Sequence, residues 1–285
     1  MNWVFARNFL RLSPCGIPHF PDICCTLQIK FEKYQGTGND FIVIDNRFGI
    51  ADGLSSRQIS QLCHRKFGIG SDGLMLISSA EQADFTMKFF NPDGSQSLCG
   101  NGSRCAVVFA RSAGIAGDAG TFVTTDGRHD YRFSEKEGPA VSLLPADRPV
   151  GAAGHLFINT GSPHLIVQVA DVDAVDVDRD GKHLRHLPEF EPMGGTNVNF
   201  AAPMGGGTLG VRTFERGVER ETLSCGTGVT AAALACAPEG AGPHCTEVHT
   251  HGGVLRVRFR KTEQGFDDIW LSGPAEKVFE GVIDA

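Results

Sequence analysis

Cys99-Gly-Asn-Gly102 and Cys225-Gly-Thr-Gly228 are one four-residue pattern written twice, 126 positions apart in the same chain. Each is followed by a run of small and apolar residues, Cys105 to Ala113 and Val229 to Ala237, that reads as a helix. The recurrence extends outward. Thr124-Thr-Asp-Gly127 is answered by Thr250-His-Gly-Gly253, again 126 positions on. Thr37-Gly38-Asn39 before Phe41-Ile-Val43 is answered by Thr160-Gly161-Ser162 before Leu165-Ile-Val167, Gly70-Ser71-Asp72 by Gly195-Thr196-Asn197, and Phe90 by Phe214. Five matches in one order, at offsets of 123 to 126 residues, predict an internal duplication.

Size agrees with a doubled unit: 285 residues correspond to about two domains at ~150 residues each. The formal net charge of −7, with no basic stripe, excludes a nucleic-acid binder. Glycine is abundant, 36 residues without collagen period, so many tight turns and close backbone approaches are expected. No run of 18 apolar residues occurs, which excludes a transmembrane helix and a membrane partner. Residues 1–27 carry Arg7 and Arg11 inside their apolar stretch and then Pro14, Gly16, Pro18 and Pro21, which is not the order of a signal peptide. They are expected to be a disordered extension or the product of a start placed too early. The nine cysteines form no CxxC pair, and without an export signal they are expected to be reduced, in the cytoplasm.

Strand-like segments are Ile29 to Tyr34, Phe41 to Ile44, Leu74 to Ile77, Thr86 to Phe90, Leu165 to Val169, Val254 to Phe259 and Ile269 to Ser272. Ser55 or Ser56 caps a helix with Ile59, Leu62 and Cys63 on one face, ending by Gly68. Phe122 to Thr125 and His129 to Phe133 form a hairpin through Asp126-Gly127. Strands outnumber helices. The expected fold is α+β: two pseudo-symmetric domains, each a mostly antiparallel sheet or barrel around a central helix, with the site in the cleft between them. The expected division is 28–145 plus 274–285 for one half and 146–273 for the other.

The chemistry follows from where the cysteines sit. Each precedes a glycine-rich turn that opens a helix, where unpartnered N–H groups and the positive dipole end attract an anion. A thiol there is expected to have a lowered pKa and to act as a base. Two such units facing each other place two thiols about one carboxylate-bearing carbon. One removes the α-proton and the other returns a proton to the opposite face, while backbone N–H groups hold the developing charge. The expected reaction is stereoinversion.

The segments Gly36-Thr-Gly-Asn-Asp-Phe41, Phe90-Asn-Pro-Asp-Gly94, Cys99-Gly-Asn-Gly-Ser-Arg104, Gly161-Ser-Pro-His164, Thr196-Asn197, Phe214-Glu-Arg-Gly217, Cys225-Gly-Thr-Gly228 and Ser272-Gly-Pro274 resemble those of the diaminopimelate epimerases. The resemblance covers nearly everything but the N-terminal extension. It implies a cofactor-independent, homodimeric, cytoplasmic epimerase of lysine and peptidoglycan-precursor synthesis, with Cys99 and Cys225 as proton donor and acceptor. It implies that Gly100, Asn101, Gly226 and Thr227 bind the α-carboxylate, and that Asn39, Asn91, Ser162, Asn197, Glu215 and Arg216 bind the remaining polar groups. His164 and Glu215 are implied to tune the thiols. Ser162 stands where many members have Asn, and Gly73 where some have Gln.

Two patterns point elsewhere and are set aside. Gly68-Ile-Gly-Ser-Asp-Gly73 matches a dinucleotide fingerprint, but it follows a helix and opens a strand, the reverse of what that fingerprint requires. Cys63-His64, His249 and His251 lack the spacing of a metal site. Neither metal nor cofactor is expected. The competing functions are a racemase of another amino acid, such as histidine or proline, an isomerase related to the phenazine-biosynthesis enzymes (which lack the two cysteines), and a module that only binds a carboxylate.

Overall fold

The computed structural model describes residues 28–284, so the expected extension at 1–27, with Cys15, Cys24 and Cys25, lies outside the described residues. The chain runs β1 (Gln28–Gly36), β2 (Asn39–Asp45), α1 (Ser56–Cys63), β3 (Gly73–Ser78), β4 (Phe85–Phe90), α2 (Gly100–Ser112), β5 (Ala119–Thr124), β6 (Gly127–Ser134) and β7 (Gly138–Leu143). It continues through β8 (Ala146–Asp147), β9 (Val150–Ala152), β10 (His155–Asn159), β11 (Pro163–Gln168), α3 (Val177–Arg185), β12 (Asn197–Gly205), β13 (Thr208–Glu215), β14 (Arg220–Thr222), α4 (Gly226–Ala235), β15 (Gly242–Thr250), β16 (Gly253–Lys261), β17 (Gly265–Ser272) and β18 (Glu276–Asp284).

The strand ladders repeat as the motifs do. From β1 to β7 successive pairings are antiparallel, parallel, antiparallel, parallel, antiparallel and antiparallel. The series β10, β11, β12, β13, β15, β16, β17 gives the same six in the same order. A helix makes the crossover at each parallel step, as a parallel pair requires. The matched turns coincide too: Thr124 pairs with Gly127 and Thr250 with Gly253. The two-residue loop of the first hairpin is therefore Thr125-Asp126, one residue earlier than expected, because Gly127 already belongs to the ladder. Gly206-Gly207 is the hairpin loop between β12 and β13; Gly206 (φ 61°) and Gly207 (φ 79°) supply the two positive φ values that a tight turn of this twist demands. The chain's end returns to its start, with β18 paired along β1, and β17 joins β7 to tie the two halves into one sheet system.

Each half buries one sheet face on an outer helix and the other on an inner one. Ile59, Leu62 and Cys63 of α1 pack on Ile42, Ile44, Leu74 and Leu76. Ser55 caps α1 in a reciprocal box with Gln58, as the Ser-x-x-Gln spacing predicts. In the second half Val177 of α3 lies with Phe190, Val198, Phe200 and Phe214. α2 and α4 share the central core with β7 and β17. α4 is buried on every face, which its run of Val229, Ala231, Ala232, Ala233 and Leu234 permits.

Both inner helices begin earlier than the sequence runs suggested. Gly100 and Gly226 are already their first residues, and Cys99 and Cys225 are the N-caps. Glycine is tolerated in a first turn, and the crowding here favours it. A Cβ on Gly100 would stand 3.0 Å from Leu271 Cδ2 and in ordinary contact, at 3.6 Å, with the Gly226 backbone; one on Gly226 would lie 3.1 Å from the Asn101 nitrogen and 3.0 Å from its Oδ1. The two helices meet N-terminus to N-terminus. Gly226→Ala is expected to cost about 1–3 kcal/mol, because an extra methyl in a packed interior displaces backbone. A thermal melt reads this as a Tm several degrees lower; an unchanged Tm would show that the termini have room between them.

Candidate active site

The meeting point of α2 and α4 opens into a cleft of ≈ 940 Å3. Cys99 and Cys225 both line it, with Asn39, Asn91, Ser162, Asn197, Glu215, Arg216 and Thr227. Four of the expected site residues do not line the cleft. Gly100, Asn101, Gly226 and His164 are buried, Asn101 and His164 fully. Gly100, Asn101, Gly226 and Thr227 form the first turns of the two helices, so what they offer an anion is backbone N–H. The Asn101 side chain is engaged elsewhere. Its Nδ2 donates to Ser224 O (3.0 Å) and Asn39 Oδ1 (3.3 Å), lacing one half to the other.

The duplication shows in the polar contacts. In the first half Asn39 Nδ2 donates to Asp72 Oδ2 at 2.7 Å. In the second, Asn197 Nδ2 donates to Ser162 Oγ at 3.4 Å, and Ser162 Oγ lies 3.4 Å from Thr227 Oγ1. Asp72 was not singled out from sequence, although its match to Asn197 in the repeat was the signal for it. It lines the cleft and is held by Arg65 Nη2 at 2.7 Å. Asn91 serves a turn as well as the cleft, donating to Ser95 Oγ and accepting from Ser97 Oγ.

His164 touches neither thiol directly. It reaches Cys225 through Ser162 Oγ (3.0 Å from His164 Nε2) and Thr227 Oγ1, which lies 3.6 Å from Cys225 Sγ. Asn199, missed in the sequence because it sits mid-strand among apolar residues, sets the ring's tautomer. Its Oδ1 accepts from Thr213 Oγ1 and its Nδ2 donates to Leu165 O, so the amine faces His164 Nδ1 at 3.1 Å. The imidazole proton therefore sits on Nε2 and points at Ser162. Burial, with the nearby Arg216 charge, pushes His164 down to about 3, so the ring is neutral at working pH.

The thiols depart from expectation. Burial pushes Cys99 up to about 12, against the pull of the Gly102 N–H bonded to its Sγ at 3.4 Å. Burial raises Cys225 as well, and the Glu215 carboxylate adds to the rise at both. A helix N-terminus favours an anion by about 0.3–2 kcal/mol, and removing a charge from water costs several. Desolvation wins, and both side chains rest as thiols. Arg216 forms no ion pair among the described residues. Its Nη1 donates to Met193 O (3.0 Å), its backbone N–H is held by Asn197 Oδ1, and burial lowers its pKa. It is a cation in the cleft with donors free for a carboxylate. Among the described residues no three metal-ligating side chains gather, and no helix is long and apolar enough to cross a membrane.

A family model described as diaminopimelate epimerase matches residues 31–143 and 156–278. The chain is 40% identical over 257 residues to a diaminopimelate epimerase from Flavobacterium psychrophilum, covering 90% of this chain and 100% of that one. It is 41% identical over 264 residues to one from Chlorobaculum tepidum, covering 87% and 99%. In structure it is similar to a phenazine biosynthesis protein of the PhzF family from Bacillus anthracis, with a TM-score of 0.66 at 18% identity over 90% and 99% of the two chains, a likeness of fold.

Glu215 carries a titration that stability can report. Burial lifts its carboxyl from 4.5 to about 7, opposed by the Thr222 hydroxyl bond and aided by the Asp72 charge. A raised folded-state pKa lends stability that is full below the unfolded value and is lost as pH rises through the folded one. Glu215→Gln removes that loss. Chemical denaturation at about pH 5 and pH 8.5 is expected to show a smaller stability difference in the variant than in the parent; an equal difference in both would place Glu215 in water.

Proposed function

The chain belongs to the diaminopimelate epimerase family, and on that premise we propose that it interconverts LL- and meso-diaminopimelate by a two-base reaction at Cys99 and Cys225, with neither pyridoxal phosphate nor metal. The observation that carries the reading is the pair of cysteines capping two helices that meet end to end and line one cleft.

In the proposed reaction the α-carboxylate is received by the N–H groups of the first turns of α2 and α4, from Gly100 and Asn101 and from Gly226 and Thr227. One sulfur takes the α-proton from one face and the other delivers a proton to the opposite face, inverting the centre. The negative charge that develops toward the carboxylate is held by the same N–H groups, placed in advance of the reaction. Arg216 receives the distal carboxylate, and Asn39, Asn91, Ser162 and Asn197 receive the distal polar groups. Glu215 and the neutral His164 act on the thiols' acidity, His164 through Ser162 and Thr227. The repeated ladder supports dividing the chain at 28–145 plus 274–285 and 146–273, since β18 completes the first sheet on β1.

Interconversion of the two diastereomers by the purified protein, without added pyridoxal phosphate and after chelation, tests the proposal. Arg216→Lys is expected to lose at least about tenfold in kcat/KM, because an ammonium does not reproduce the planar bidentate fork. Near-normal turnover of this variant at low substrate would remove Arg216 from the distal contact.

A further inference from the structure

The loop that carries Arg216 is held from outside the cleft. It runs from Glu215 to Glu219 and is closed by the Glu219 N–H on Glu215 O at 2.9 Å. The duplication supplies its counterpart, the loop from Asn91 to Ser95, since Phe90 precedes the one and Phe214 the other. That first loop fastens itself. Asp93 Oδ1 accepts from the Ser95 N–H (2.8 Å) and from Ser95 Oγ (2.6 Å), and Asn91 Nδ2 donates to Ser95 Oγ. The second loop has more chain to hold: Cys225 follows Phe214 by eleven positions, where Cys99 follows Phe90 by nine. Its fastening comes from α3.

Arg185, in the last turn of α3, has a side chain only 9% exposed. Its Nε and Nη2 both lie 2.6 Å from Glu219 Oε1, and the same oxygen accepts the Gly217 N–H at 2.9 Å. The other carboxylate oxygen faces His186 Nε2 at 3.2 Å. Glu219 stands at φ 60°, a left-handed conformation unusual for a residue other than Gly, Asn or Asp. From there its carboxylate reaches Arg185. Arg185 Nη1 donates to Gly194 O at 3.1 Å, one residue beyond the Met193 carbonyl that receives Arg216 Nη1. One guanidinium thus ties down both things that place Arg216. It holds the neighbouring backbone through Glu219 and Gly217, and the turn that orients the side chain through Gly194. Arg185 and Arg216 repel; Glu219 neutralises the first, and the second keeps its charge for a ligand.

Building on the reading that Arg216 receives the distal carboxylate of the substrate, we propose that Arg185 and Glu219 are positioning residues for that contact. The pair sets the Arg216 guanidinium in place before substrate arrives, so binding does not have to order a long side chain. Neither residue touches the reacting carbon, and the distal contact is the same before and during proton transfer. Loosening the pair therefore weakens substrate binding and leaves the chemical step alone.

Steady-state kinetics with LL- and meso-diaminopimelate test this. Glu219→Asn suits the left-handed backbone but is one methylene too short to keep its hold on Arg185. It is expected to raise KM about tenfold and to leave kcat within about twofold. Arg185→Lys, which keeps the charge but loses the fork, is expected to show the same split, and it decides the matter where the Asn variant does not fold. Glu219→Gln, which keeps the length and an acceptor for Gly217, is expected to recover most of the loss. In an Arg216→Lys background Glu219→Asn is expected to add less than about twofold, because the pair acts through Arg216. An unchanged KM in a folded variant overturns the proposal, as does a loss in kcat alone or a loss that multiplies in full onto that of Arg216→Lys. Failure of the reading beneath it shows differently, as an Arg216→Lys enzyme whose KM is that of the wild type.

Discussion

The N-termini of α2 and α4 press together at Gly100 and Gly226, and much of the molecule can be read as support for that contact. A side chain at Gly226 would press on Asn101 of the facing helix. Small residues along α4 let it run wholly inside the sheet. Thr37 keeps a β-branched side chain at φ 50°, a conformation such residues rarely adopt. It does so while its hydroxyl accepts from Arg104 and lies 3.1 Å from Ser224 Oγ, next to Cys225. With the Asn101 bond to Ser224 O, these contacts stitch the first half's turn to the second half's cysteine loop.

The same contact brings the positive ends of two helix dipoles to the cysteines. Burial raises the carboxyl of Glu215, which shares their cleft, to about 7. The thiols nevertheless rest protonated, because burial outweighs every local attraction. Asp72, Asp93 and Asp126 also line the cleft, against Arg65, Arg216 and Arg220, so its charge is mixed. In the proposed reading the α-carbon of an amino-acid substrate sits between the two sulfurs.

The duplication, and with it the fold class, was legible because the matching residues do work no other residue type does at that spot: glycines at a crowded helix start, a cysteine at the cap, a turn with positive φ. The strands of the first half were legible because each is apolar on the side it buries. α3 was not, because its inward face shows little apolar surface beyond Val177 and Leu184, and Gly181 is needed where Phe214 would be 2.4 Å from a Cβ. The thiols' acidity was misjudged, since a motif displays a helix terminus and not the burial around it. Asp72 and Asn199 escaped because their partners are distant in sequence, Asn39 for the first and His164 for the second, and the repeat points to Asp72 alone.

Whether two sulfurs serve one carbon from opposite faces is read most directly by solvent-deuterium wash-in at the α-carbon in Cys99→Ala and Cys225→Ala, each supplied with LL- and with meso-diaminopimelate. On this account neither variant interconverts the diastereomers, and any exchange that persists occurs with retention, on the face of the remaining thiol. Interconversion at wild-type rate in either variant would contradict it, because a single sulfur would then be enough to invert the centre.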